Sequence, residues 1–164
     1  MNITQEILEN TFEQLQRLSI TEKAQLADST KDKQPHLFDM ILMQKDMGAT
    51  LETMDVLMEI LLVSQHTTES TGYIVRCVSE EKMITALNRF VKEIGFAAGL
   101  TKKLLQDSIQ QYRNNHDEPV LFRWALQHMT QGGLTDFASA QHAALLAGCT
   151  IVNCIVESTI AVNS

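Results

Sequence analysis

Apolar residues recur along most of the chain at steps of three and four, the spacing that places them on one face of a helix. Ile3, Ile7, Leu8, Phe12, Leu15 and Leu18 trace the first such face. Asn2 and Gln5 stand at capping-box spacing ahead of it, and Ser19-Ile-Thr-Glu22 repeats that signal, so a break is expected near Ser19. Ala24, Leu26 and Ala27 then suit a shorter helix, and the aperiodic polar run from Asp28 to Gln34 reads as a loop. Leu37, Phe38, Ile41 and Leu42 form the next stripe, opened by Pro35 and closed by Gly48. Thr50 caps a longer one through Leu51, Met54, Leu57, Met58, Leu61 and Leu62, predicted to persist to about Thr71. An extended link over residues 73–78 is the competing reading of its far end.

Ser79, followed by two glutamates, opens a helical period that runs on through Met83, Leu87, Phe90, Val91, Ile94, Ala98, Leu105, Ile109 and Tyr112. Gly95 and Gly99 interrupt it and predict either a kink or close helix packing. A loop at Asn114–Glu118 leads to a second proline-initiated helix. Beyond Gly132-Gly133 a last segment, Leu134 to Val162, is rich in alanine and other small residues, as in a helix buried on several sides.

The two proline-initiated stretches match each other. Pro35, Leu37, Phe38, Leu42 and Gly48 align with Pro119, Leu121, Phe122, Leu126 and Gly132 at a single offset of 84 positions. Self-similarity at a fixed period is the signature of an internal repeat. The pattern therefore predicts an all-α protein, one helical bundle of six or seven helices spanning residues 1–164. It would be built as two tandem pseudo-repeats of about 80 residues, 1–78 and 79–164, related by an approximate twofold.

Composition narrows the picture. The chain is 45% apolar and has only two prolines, enough for a real core in long regular elements. Eight methionines against few aromatics suit irregular gaps between helices, and secondarily an adaptable binding surface. The net charge of −7 and the absence of a basic run argue against nucleic acid as partner. Cys77, Cys149 and Cys154 have no ligand spacing, and the N-terminus lacks a signal-peptide pattern, which together suggest a reduced, cytoplasmic setting. The apolar run from Ala143 to Val156 is short for a membrane span and reads as a buried helix.

Candidate chemistry is sparse. The five histidines form no His-x-x-x-His or Glu-x-x-His pair. His66 and Glu69 lie one turn apart, most simply as an exposed polar pair, and Trp124 and His128 on adjacent turns could line a pocket or a helix edge. No nucleophile elbow, reactive-cysteine setting or phosphate-cradling glycine loop is present. A helix-turn-helix forced onto residues 140–156 would have a reading helix too apolar for a DNA groove. Glu6 with Glu9 and Glu52 with Asp55 are carboxylate pairs one turn apart, a pattern that on two antiparallel helices can hold a magnesium ion.

In those pairs alone the chain resembles the all-helical nucleotide pyrophosphohydrolases, a resemblance that implies metal-dependent hydrolysis with Glu6, Glu9, Glu52 and Asp55 as metal ligands. It departs from them in the later position of the second pair, the extra intervening helix and the lack of a basic phosphate-binding residue. The favoured expectation is a soluble protein–protein interaction or adaptor module with no cofactor and no catalytic residues. It would self-associate as a homodimer or bind another protein, with no membrane contact. Glu52, Asp55 and Glu59 together read as a solvated face.

Overall fold

A computed structural model describes residues 1–96, 99–135 and 141–162. Eight helices and one pair of short strands are seen among them: α1 (Gln5–Gln16), α2 (Ile20–Lys33), α3 (Pro35–Asp46), α4 (Leu51–Ser70), β1 (Tyr73–Val75), α5 (Glu80–Glu93), α6 (Lys102–Asn114), α7 (Pro119–Gln131), α8 (His142–Glu157) and β2 (Thr159–Ala161). The mostly helical character agrees with the apolar spacing, but the count exceeds the six or seven helices predicted. The extra helix comes from the long period after Ser79. Gly95 and Gly99 have φ of 69° and 67°, a left-handed backbone that ends one helix, and Thr101 then caps a new one through Leu104 N. The residues between the two glycines at 97–98, Ala98 of the predicted stripe included, lie outside the described set, as do residues 136–140 of the predicted last segment.

Helix starts follow their capping side chains. Ser19 and Glu22 form a complete capping box, and Thr50 and Ser79 each accept from the amide three residues on. At the first helix the cap is Thr4, whose hydroxyl accepts from Ile7 N, rather than Asn2. The stretch expected as a loop, residues 28–34, is mostly helix: α2 runs to Lys33. Its polar side chains have tertiary partners that overcome the missing period. Thr30 is buried, Lys31 Nζ lies 5.3 Å over the Phe38 ring, and Lys33 Nζ is 2.9 Å from Glu69 Oε1. Gly132 has an ordinary φ; a Cβ there would come 2.5 Å from Val56 Cγ2 of α4, so its role is close packing, and the left-handed turn falls on Gly133.

The core is centred on α4 and α8, which pack along each other, with α1, α3 and α7 against α4 and with α3, α5 and α7 against α8. Leu57, Ile60 and Leu61 of α4 and Cys149, Ile151, Val152 and Ile155 of α8 are fully buried. The strands that follow these helices pair antiparallel, Tyr73 with Ala161, Ile74 with Ile160 and Val75 with Thr159. They extend the end of each helix by one short ribbon; extended backbone over 73–78 is only the competing reading of the sequence, and residues 159–161 fall in the segment expected as helix.

Polar groups are also buried along α4 and α8. Among the described residues the hydroxyls of Ser64, Thr67, Thr68 and Thr150 have no hydrogen-bond partner. An unpaired buried hydroxyl costs on the order of 1 kcal/mol or more, and valine has the shape of threonine without that cost. Thr150→Val is therefore expected to raise stability by about 1 kcal/mol, read from urea unfolding; a loss of stability would mean that the hydroxyl is bonded.

Two residues ahead of prolines tie the elements together. Gln34 and Glu118 are almost fully buried, and both leave the helical region, as a residue before proline does (φ/ψ −133°/60° and −124°/74°). Gln34 Nε2 donates to Gln65 Oε1 at 3.2 Å and to Arg76 O at 3.1 Å, and its Oε1 accepts from Val78 N at 3.0 Å. Glu118 Oε2 accepts from Ile3 N at 2.9 Å.

Candidate binding groove

Helices α3, α5 and α8 converge without closing. Between them lies an apolar groove of about 360 Å³, lined by Met40, Met43, Met47, Met83, Leu87 and Leu146. Its position follows from the helix faces. Leu37, Met40, Ile41 and Gln44 of α3 are buried, which turns Met43 and Met47 outward at 59% and 61% exposure. Ile84 of α5 is also exposed on the groove wall. Methionine side chains are unbranched and polarisable, so such a wall can adapt to different apolar shapes.

The arrangement between α7, α1 and α4 is filled. Trp124 stacks on His128 with ring centroids 4.9 Å apart and planes 11° apart, and Phe12 packs edge-on to both at 5.6 and 5.8 Å. His128 Nε2 lies 2.8 Å from Glu59 Oε2, though the carboxylate is off the line of the ring N–H. The close approach of His128 lowers the Glu59 carboxyl below 4.5, more than burial raises it. Glu59, read from spacing as one of a solvated face with Glu52 and Asp55, is thus half-buried against another helix.

A second cleft, polar and about 400 Å³, opens among α5, α6 and α8. Arg89 contacts Glu157 and lies 3.9 Å from Glu93. Tyr112 lines the cleft; burial pushes its phenol up to about 12, with Glu93 adding to the effect, so it remains a hydrogen-bond donor. His116 Nδ1 accepts from Glu118 N at 3.0 Å, which leaves the proton on Nε2, 3.0 Å from Asn153 Oδ1. Burial pushes the Cys149 and Cys154 thiols up, Cys154 to about 12, so neither supplies a thiolate near neutral pH.

The carboxylates singled out from the sequence are all at the surface. Glu6 and Glu9 are exposed on α1, where Glu9 Oε1 accepts from Gln5 Nε2 at 2.9 Å, and Glu52 and Asp55 are exposed on α4. Among the described residues no three His, Cys, Asp or Glu side chains come together as a metal-binding group. Among them, too, no helix is long and apolar enough to cross a membrane.

His66 and Glu69 form a contact at 3.7 Å, with Glu69 also accepting from Lys33 Nζ at 2.9 Å and Gln65 Nε2 at 2.7 Å. Burial lowers His66 below 6.5, against the pull of Glu69. For Glu69 burial acts upward, but the bonds from Lys33 and Gln65 prevail and lower it below 4.5. In all three groups, Glu59 included, the unfolded chain takes up a proton before the folded one as pH falls, so stability is lost with acid. The expected profile is a first decline in Tm just below pH 6.5 from His66 and a second below 4.5 from Glu59 and Glu69. His66→Gln should flatten the first and leave the second; an unchanged profile would contradict the assignment.

Comparison with known proteins gives no match: no family model, curated protein or solved structure is significantly similar to the chain.

Proposed function

We propose that this chain is a protein-interaction module with no catalytic step of its own, and that it receives a helix of a partner protein in the methionine-lined groove. The groove is the observation that carries this reading. It is apolar and open, its walls come from three separate helices, and its most exposed side chains are those a folded core has no reason to leave outside. An amphipathic helix laid between two helices is a common way to cover such a surface.

The proposal includes an architecture of two related units, with α1–α4 and β1 answering to α5–α8 and β2. Several features support it. The order helix, helix, proline-initiated helix, core helix, strand occurs twice. Each pre-proline side chain takes the amide just ahead of a capping residue in the other unit: Gln34 that of Val78 before Ser79, Glu118 that of Ile3 before Thr4. Ile74 stands opposite Ile160 at the centre of the ribbon. The offset is not constant, because the turn glycines at φ 90° are Gly48 and Gly133, which gives α7 one residue more than α3.

A photo-crosslinking residue placed at Met47, in cells that make the protein, should give a discrete adduct with another protein. The same probe at exposed Gln25 of α2 should not. A crosslink pattern equal at both positions would remove the reading, and an adduct of twice the chain mass would put a second copy in the groove.

A further inference from the structure

We infer that the occupant of the groove is a basic amphipathic helix that inserts a bulky aromatic side chain between α3, α5 and α8, an inference that rests on the reading of the groove as a docking surface. The first support is the filled counterpart. Counting from the helix-initiating prolines, Met40 and Gln44 of α3 stand where α7 has Trp124 and His128; counting from the capping residues Ser79 and Thr4, Leu87 of α5 stands where α1 has Phe12. In one unit three rings close the space between the helices. In the other, aliphatic and amide side chains leave it open, and the missing volume has the character of a ring. Four methionines around it offer sulfur to the edge of such a ring.

The second support is charge. Asp39 and Asp46 of α3 and Glu80 and Glu81 of α5 are exposed on two of the three helices that form the walls. The exposed basic residues of these two helices are Lys45, Arg89 and Lys92; Arg89 is engaged with Glu157 and Glu93, and neither it nor Lys92 lines the groove. Among the described residues none of these four carboxylates is in an ion pair. An acidic rim attracts a helix with lysine or arginine beside its apolar face and repels one carrying acids. A second copy of the chain, with net charge −7 and the same rim, would bring acid against acid. Those two observations select the same partner: apolar ring in the middle, basic residues at the sides.

The test is selection of short helical peptides, randomised at anchor and flanking positions, on the full-length protein. Selected binders are then measured against two variants with exposed substitutions. Met43→Gln with Ile84→Gln changes the groove wall; Asp46→Asn with Glu80→Gln and Glu81→Gln changes the rim. Circular dichroism confirms that both variants keep their helices. The expected binders carry a Trp or Phe anchor and net positive charge. The wall variant should weaken them at least about tenfold, and the rim variant about tenfold at low salt with a flatter salt dependence. Groove-dependent binders that are neutral, acidic or without an aromatic anchor would overturn the inference while leaving the docking surface standing. Binders indifferent to the wall variant, or none at all, would overturn both. Concentration-dependent dimerisation abolished by the wall variant would replace the basic helix with a second copy.

Discussion

Phe122→Ala is expected to destabilise the protein by about 4 kcal/mol, a large part of what a domain of this size has to lose. Phe122 is fully buried on α7 and sits at the meeting of α5, α6 and α7. Its ring stacks on His116 at 4.7 Å and meets Tyr112 at 5.2 Å and Phe90 at 6.2 Å. Truncation removes the apolar transfer energy and leaves a hole between rings held by α5 (Phe90), by α6 (Tyr112) and by the loop after α6 (His116), which cannot close in on it freely. Phe38, at the corresponding place on α3, is only half-buried and has Lys31 above it. Phe38→Ala should therefore cost clearly less, about 1–2 kcal/mol. Urea unfolding of both variants checks the pair, and equal losses would mean that the ring cluster adds nothing beyond burial.

Gln34→Leu should cost about 3 kcal/mol although it places an apolar residue in a buried position. The loss lies in what remains. Val78 N would have no acceptor, and Gln65 Oε1 and Arg76 O would lose their donor, all in or near the interior. Each stranded group costs about 1–3 kcal/mol, offset in part by the apolar gain of leucine. Gln44 provides the contrast. It is also buried, but among the described residues its Nε2 donates only to Met40 O of its own helix, at 3.3 Å. Gln44→Leu should be close to neutral in the same measurement. If both substitutions behave alike, the amide network around Gln34 does not hold the elements together.

What could be read from the sequence was whatever is written in consecutive residues. The caps at Ser19, Thr50 and Ser79, both proline starts and the extent of α4 were visible because capping and periodicity act over a single turn. Helix α2 was read as too short because Thr30, Lys31 and Lys33 owe their helical state to partners on α3 and α4 that no local pattern reveals. The break between α5 and α6 is marked by two glycines and by Thr101 as a cap, but a kink, a packing contact and a chain reversal all use glycine, and the apolar period runs on past it. Strands of three residues carry too few alternations to be seen. The candidate site divides in the same way. Trp124 and His128 stood out as neighbours, but Glu59, on another helix, could not be joined to them by spacing. The methionines were conspicuous by number; which of them faced outward depended on how α3 rolls against α4 and α8.

The bond from Ile3 N to Glu118 has a practical side. The donating end of that bond, Ile3 N, lies two residues after Met1, so this segment is anchored rather than spare. Tags or fusions have to be joined ahead of Ile3 with enough slack to leave its amide in place. Trimming past it would strand a carboxyl group inside the protein, where no solvent reaches to take over.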